Sequence, residues 1–464
     1  MSASFLACLL LAADGEKKGL EGVWQGTLDL GAAKLRFVLR FTKKAEKLEG
    51  VLDSPDEGLA GLPLTRIEVK GEQVRFELRA TRAVVEGKLD ERHTELKGEW
   101  KQGPKPLPIV FKRTDKPAVL ARPQTPKKPY PYEEHEVVFE NKKAGVKLAG
   151  TLTLPKGKGK VPAVLLVTGS GPQDRDETIL GHKPFLVIAD HLTRRGIAVL
   201  RYDDRGVGKS TGDHGKATTA DFADDARAGI AFLKGHERID PERVGLAGHS
   251  EGGIIGASLG ASKEVSFLVL LAGSAFPGAD ILRQQGQALA KAVGADKEQQ
   301  RRQLVFHETA FKALATHADN REALKMFSAA MKAELEKADL MGAKAEDVLK
   351  HLEGQFRIVS SPWFRHFIAH DPRPDLRKAV CPVLALIGEK DLQILPGDNL
   401  PEFRKALKDN KDATVKELPK LNHLFQACKT GLPSEYGRIE ETFAPTALEL
   451  IGEWVAARTK AKER

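Results

Sequence analysis

The stretch RVGLAGHSEGGIIGAS, residues 243–258, decides the reading of this chain. Arg243 to Ala247 has strand character, Gly248-His249-Ser250-Glu251-Gly252 is a G-x-S-x-G turn, and Gly253 to Ser258 is a run of small residues that opens a helix. The bare five-residue pattern is common by chance, but the order strand, turn, helix around it is not. A serine on such a turn is held in strained backbone geometry. Side chains at the flanking glycine positions would collide with the strand and the helix. The turn lifts the hydroxyl out beyond the C-terminal end of the strand, beside a helix N-terminus whose dipole favours developing negative charge. Ser250 is therefore the candidate nucleophile.

A serine hydroxyl is a weak nucleophile at neutral pH and needs a base, and the base needs a carboxylate to orient it. With this turn the partners follow in the order Ser, Asp or Glu, His. After a strand at Pro382 to Ile387 comes Gly388-Glu389-Lys390-Asp391, and after a strand at Thr414 to Leu418 comes Pro419-Lys420-Leu421-Asn422-His423. Asp391 and His423 thus follow late strands, at the same sheet edge as Ser250, with Glu389 as the alternative acid. His249 points elsewhere, and His351, His366 and His370 lie in or beside a helical insertion. The oxyanion needs two backbone N–H groups. One is expected from Glu251. The other is expected from the loop Thr168 to Asp176, at Ser170 or its neighbour Gly171. Asp174, Arg175 and Asp176 in that loop read as an ion-pair network that holds it.

Outward from these residues the pattern is α/β. Val161 to Val167 is a continuous apolar run, as expected for a strand buried on both faces. Phe185, Ile188 and Leu192 mark a helical face closed by Gly196, then Ile197 to Leu200 reads as a strand. Phe222, Ala226, Ile230 and Leu233 mark the next helix, and strands follow at Phe267 to Leu271 and Val383 to Ile387. Alternation of this kind predicts a doubly wound, mostly parallel sheet across residues 133–464. A charged helical insertion at about 281–367 is expected to cap it, with Phe306, Leu314, Met326 and Phe327 in the cap's own core. Residues 116–132 are rich in Pro and Lys and read as a linker.

Residues 20–115 differ. Apolar and polar residues alternate in Leu35 to Phe41, Val74 to Leu78, Ala83 to Leu89, Glu95 to Trp100 and Pro108 to Phe111. Gly50, Asp53, Pro55, Gly71 and Asp90 are the expected turn residues. This predicts a small antiparallel β-barrel or sandwich, with Trp24 and Trp100 packing its ends.

Composition excludes several functions. The 464 residues are 41% hydrophobic and 30% charged, with a net charge of +9 from 73 basic and 64 acidic residues. The lysines cluster at Lys127-Lys128, Lys156 to Lys160 and in the tail, without the interleaved aromatics that single-strand binding favours. They read as solvated surface, so no nucleic-acid partner is expected. The stretch RYDDRGVGKSTG, residues 201–212, is not a P-loop, because Asp203 stands where the first glycine must be. The apolar segment Ser4 to Ala13 is too short for a transmembrane span and lacks a positive n-region. Residues 1–14 read as a truncated signal segment, which predicts an exported, periplasmic or extracellular protein. Beyond Cys8 only Cys381 and Cys428 remain, which leaves room for one optional disulfide and for no CxxC site.

From about Glu133 to Ala457 the chain resembles the α/β-hydrolase superfamily. It is similar to the bacterial acyl-esterase and dienelactone-hydrolase-like group, which is related to prolyl-oligopeptidase-type serine peptidases. The resemblance rests on TGSGPQDRDE, RYDDRGVGKSTG, GHSEGG, IGEKD and LNHLFQ. One departure is Thr168, where the group often has His. The resemblance implies two-step hydrolysis of a small-molecule acyl ester by a Ser250–His423–Asp391 triad, with oxyanion amides from Glu251 and Ser170 and no cofactor or metal. Peptide or amide hydrolysis, thioester hydrolysis and acyl transfer are the alternatives within the fold. A non-catalytic binding protein, attached through the β-domain, is the alternative outside it. About 95 N-terminal residues are far too few for the propeller that admits peptides in the peptidases, which favours esters. No sequence pattern speaks to oligomeric state.

Overall fold

The computed structural model describes residues 19–31, 34–44, 47–57, 59–78, 83–103, 105–118, 121–336 and 344–460. The segment expected as a signal, residues 1–14, lies outside the described residues. The chain divides between Ala121 and Arg122 into two compact units.

The first unit is one antiparallel sheet of β1 (Gly22–Asp29), β2 (Lys34–Lys44), β3 (Lys47–Ser54), β4 (Leu59–Pro63), β5 (Thr65–Lys70), β6 (Gln73–Leu78), β7 (Ala83–Leu89), β8 (Glu95–Lys101) and β9 (Leu107–Arg113). The hydrogen-bonded order is β4-β3-β2-β1-β9-β8-β7-β6-β5. β4 and β5 are consecutive in the chain yet stand at opposite ends of that order. Between them the Leu64 amide donates to the Gly50 carbonyl of β3 at 2.8 Å. The sheet therefore curls into a nearly closed barrel. Period-two alternation sends Val74, Phe76 and Leu78 of β6 inward, where Trp24, Phe41, Phe76 and Phe111 are all but fully buried. Gly50 and Asp53 are not turn residues, as expected from sequence, but lie inside β3. A Cβ at Gly50 would come within 2.9 Å of both Leu64 and Phe41, so this glycine serves close packing across the barrel.

The second unit carries β10 (Glu133–Asn141), β11 (Val146–Leu154), β12 (Val161–Val167), β13 (Ala198–Tyr202), β14 (Ile239–His249), β15 (Leu268–Leu271), β16 (Val383–Gly388) and β17 (Ala413–Leu418). Their order is β10-β11-β13-β12-β14-β15-β16-β17; β11 runs antiparallel to β10 and β13, and the pairs from β13 to β17 are parallel. Helices cover both faces: α1 (Pro184–Thr193), α2 (Thr219–Gly235) and α3 (Glu251–Ala261) follow β12, β13 and β14. Val164 and Leu166 of β12 pack with Phe185, Ile188 and Leu192 of α1 on one face. Leu165 and Val167 pack with Ile230 and Ile255 on the other. Burial on both faces is why β12 reads as an unbroken apolar run.

Between β15 and β16 the chain forms α4 (Gly278–Ala292), α5 (Lys297–Thr316), α6 (Asn320–Leu335), α7 (Ala345–Ile358) and α8 (Pro362–Ala369). Asp296, Asp319 and Ser361 cap α5, α6 and α8 by accepting first-turn amides. These helices share a core in which Leu314 and Phe327 are buried and Phe306 and Met326 pack against them. The short α9 (Arg373–Lys378) leads into β16, α10 (Pro396–Ala406) follows it, and α11 (Pro433–Tyr436) and α12 (Pro445–Arg458) close the chain. The Pro- and Lys-rich segment does not hang free past Arg122. The Arg122 guanidinium donates to the carbonyls of Leu180 and Gly437 at 2.7 and 2.8 Å, and Gln124 pairs with Thr442 and Phe443. Cys381 and Cys428 are both free thiols.

Candidate functional site

Ser250 is the residue between β14 and α3, with φ 52° and ψ −113°. A positive φ at a non-glycine residue costs of the order of 1–3 kcal/mol and persists only where the surroundings impose it. Here they do. The Ser250 amide donates to the Leu271 carbonyl of β15 at 2.8 Å, and the Gly253 amide donates to the Ser250 carbonyl at 3.0 Å. A Cβ at Gly248 would lie 2.0 Å from the Gly252 oxygen, and one at Gly252 would lie 2.2 Å from the Val167 oxygen. Only glycine fits at either position, which is the steric content of G-x-S-x-G.

His423 lies in the loop after β17 and Asp391 in the loop after β16, both buried. The His423 Nδ1 and Asp391 Oδ2 are 2.8 Å apart. The other oxygen of Asp391 accepts the amides of Gln393 and Ile394, each at 2.8 Å, so the carboxylate is fixed in orientation. Glu389, the alternative acid, instead accepts the Lys420 amide at 2.7 Å. Ser250, Glu251, Ser170 and His423 all line one cavity of about 310 Å³, and Asp391 sits behind His423. The backbone amides of Ser170 and Glu251 have no hydrogen-bond partner among the described residues.

The loop at residues 168–176 is tied from behind by residues to which the sequence assigns no role. His249 is buried with Nδ1 2.9 Å from Glu177 Oε1 and Nε2 3.0 Å from the His423 carbonyl oxygen. A carbonyl only accepts, so Nε2 carries a proton. Burial disfavours the imidazolium, but the Glu177 carboxylate and the His423 carbonyl outweigh it and raise the His249 pKa. Glu177 Oε1 also accepts the Gly169 amide at 2.8 Å. One buried acid–base pair thus connects the loop at residues 168–176, the serine turn and the His423 loop. Arg175 pairs with Asp203 and Glu136, and Asp176 with Arg201 and Lys183, as expected of two members of the ion-pair network. Asp174 makes no ion pair among the described residues and instead accepts the Asp176 and Thr178 amides at 3.0 and 2.9 Å. Within RYDDRGVGKSTG, Ser210 Oγ donates to the Asp203 carbonyl and accepts the Ala149 amide, and Arg205 pairs with buried Asp225. The stretch is a structural turn.

Thr168, the departure noted from sequence, donates its hydroxyl to Asp204 at 2.9 Å, and Asp204 also accepts the Gln173 amide. Burial pushes the Asp204 acid up to about 8; those two hydrogen bonds oppose the rise and the nearby Glu177 and Glu251 add to it. Folded protein thus holds a proton that the unfolded chain releases near pH 4. The stabilisation is complete below that value and is lost as pH rises through about 8. Urea midpoints of the wild type are expected to fall between about pH 6 and about pH 8, with a shallower fall in Asp204→Asn. Equal slopes for the two proteins would remove this role from Asp204.

The cap supplies the facing wall of the cavity: Ile281, Leu282 and Gln285 from α4, and Trp363 and Phe367 from α8. The Glu251 side chain reaches across, accepting the Trp363 indole N–H at 2.8 Å and the Thr219 hydroxyl at 2.7 Å, and burial pushes its acid up. Trp363 has no readable signal in the sequence, since an aromatic residue inside an amphipathic cap helix resembles any core aromatic.

The Alpha/beta hydrolase family matches residues 164–428. The chain is 27% identical over 298 residues to the esterase EstD of Thermotoga maritima, covering 64% of this chain and 61% of that protein. It is 32% identical over 135 residues to the uncharacterized protein Rv2307c of Mycobacterium tuberculosis, covering 29% and 44%. The chain therefore spans less than two thirds of the length of either relative. Among solved structures, the Pyrococcus furiosus esterase Pf2001 aligns over 74% of this chain and 99% of its own, at 16% identity and a TM-score of 0.45. The family match covers more than half of the residues, runs from within β12 through β17 with the serine turn and both loops that carry Asp391 and His423, and places this chain in the alpha/beta hydrolase family.

Proposed function

We propose that the protein hydrolyses carboxylic esters of small acyl groups through an acyl-enzyme formed on Ser250. The observation that carries this reading is that the strained Ser250 turn and the Asp391-held His423 open onto one cavity. In the reading, His423 Nε2 takes the Ser250 proton as Oγ bonds to the ester carbonyl carbon. The carbonyl oxygen becomes an oxyanion, received by the amide of Ser170 in the loop after β12 and that of Glu251 at the N-terminus of α3. As the carbon–oxygen bond of the alcohol breaks, His423 gives that proton to the leaving oxygen. Water then enters, loses a proton to His423 and attacks the acyl carbon; the proton returns to Ser250 and the acid leaves. Asp391 holds Nδ1–H throughout and stabilises the imidazolium.

The cavity volume of about 310 Å³ stands at the lower end of ligand pockets, which run from about 300 to 1,000 Å³. Its wall of Ile254, Ile281, Leu282, Trp363 and Phe367 is apolar. The small volume favours short acyl chains, and the apolar wall favours an acyl group over a charged one. EstD is named an esterase, which agrees with esters over peptides. Kinetics on p-nitrophenyl acetate, butyrate and palmitate, beside an aminoacyl-p-nitroanilide, test this. The expected order of kcat/KM places acetate or butyrate first, palmitate at least about ten-fold lower and the anilide lowest. Faster turnover of the anilide would replace the esterase reading with an amidase.

A further inference from the structure

The barrel of the first unit is closed at one end and open at the other. At the closed end the Trp24 indole donates to the Leu20 carbonyl at 2.8 Å, and the Arg113 guanidinium lies 4.4 Å over the Trp24 ring. Arg113 also donates to the carbonyls of Glu21 and Gly19, which seals that end with backbone. β1 and β9 are antiparallel with Trp24 opposite Arg113, so the end of β1 and the start of β9 lie at the other rim. There the core stops short. A cavity of about 680 Å³ is lined by Leu28, Phe37, Leu52, Leu78, Trp100 and Leu107. Trp100 stacks on Phe37 with ring centroids 4.6 Å apart, and its N–H is already engaged by Gln102. The expectation of simple end packing thus holds for Trp24, while Trp100 forms cavity wall.

A packed β-domain core leaves few voids larger than a water molecule. This one has a volume in the middle of the range for small-molecule sites and sits at a barrel mouth, where such sites concentrate. Its lining offers aliphatic and aromatic surface without a buried charge. At the rim, Leu30 is 48% exposed, and Lys105 is exposed with no ion pair among the described residues. The acid at the rim, Glu57, accepts the Ser54 hydroxyl at 2.7 Å. We infer that this cavity binds one long acyl chain as its free carboxylate, the chain lying among Leu28, Leu52, Leu78 and Leu107 and the carboxylate at the Lys105 ammonium. The site has twice the volume of the cavity at Ser250, so it suits a chain that the catalytic cavity does not hold. The inference does not depend on ester hydrolysis at Ser250.

The test uses the full-length protein and cis-parinaric acid, a fatty acid whose fluorescence rises on entering an apolar site. One equivalent is expected to bind, with Ser250 free or covalently blocked by an alkyl phosphonate. Leu62→Trp, at a half-buried position lining the mouth, is expected to weaken binding about ten-fold by filling the entrance. Lys105→Glu, at an exposed position, is expected to weaken displacement by dodecanoate roughly three- to ten-fold while leaving displacement by dodecanol unchanged. Both variants should retain the far-ultraviolet circular dichroism of the wild type, and the surface change at Lys105 keeps the test valid if Leu62→Trp fails to fold. Binding that vanishes when Ser250 is blocked, that is insensitive to both substitutions, or that does not occur at all overturns the inference.

Discussion

Ser250→Ala is expected to lower kcat/KM for p-nitrophenyl butyrate by about 10⁴-fold or more, the scale on which loss of a serine nucleophile acts elsewhere. The substitution removes one oxygen and little else. The amide that donates to Leu271 is retained, and so is the Cβ that the positive-φ turn already accommodates. Stability should therefore stay within about 0.5 kcal/mol of wild type, as for substitutions that disturb no packing. The 310 Å³ cavity is unchanged in shape, so the variant should still bind a short-chain product acid. A phosphonate probe followed by mass spectrometry gives the second readout: wild type gains the adduct mass and the variant does not. A Ser250→Ala protein within about ten-fold of wild-type activity would move the nucleophile to another residue.

The second unit is legible because its physics is local. The inner strands β12, β15 and β16 of the parallel sheet are buried on both faces and read as apolar runs, as Val161 to Val167 does, whereas the edge strand β17 is largely exposed. The glycines around Ser250 are dictated by contacts of 2.0 to 2.2 Å that no other residue survives. Loop residues that follow strands, such as Asp391 and His423, inherit their position from the sheet edge. What stays hidden depends on contacts distant in sequence. Glu177 and His249 meet across 72 positions, and Trp363 meets Glu251 across 112; neither pair has a spacing that a sequence pattern can register. The barrel reads as strands and turns, but β3, β4 and β5 are missed, β3 because Gly50 carries a turn residue's signature while serving a packing need. The cavity beside Trp100 is invisible for a related reason. Alternation tells which side chains point inward, and says nothing about whether they meet there.

Asp391→Asn is expected to lower kcat by about 10⁴-fold with little change in KM, through a proton placed on the wrong nitrogen. One oxygen of Asp391 accepts two backbone amides, from Gln393 and Ile394, and those donors will hold the carbonyl oxygen of an asparagine at the same place. The asparagine NH₂ must then take the position of Oδ2, 2.8 Å from His423 Nδ1. It donates where the carboxylate accepted. His423 Nδ1 is forced to give up its proton and accept, so Nε2 becomes N–H and can no longer take the Ser250 proton. The substitution is isosteric and removes a buried negative charge, so thermal stability should hold or rise. The two explanations of lost activity, unfolding and wrong tautomer, separate in a pH profile. Deprotonation of the nucleophile by hydroxide bypasses the base, so the residual rate of the Asp391→Asn protein should keep climbing with alkaline pH where wild type has reached its plateau. A variant with wild-type kcat, or with a loss that simply tracks a lowered melting temperature, would show that Asp391 does not set the tautomer of His423.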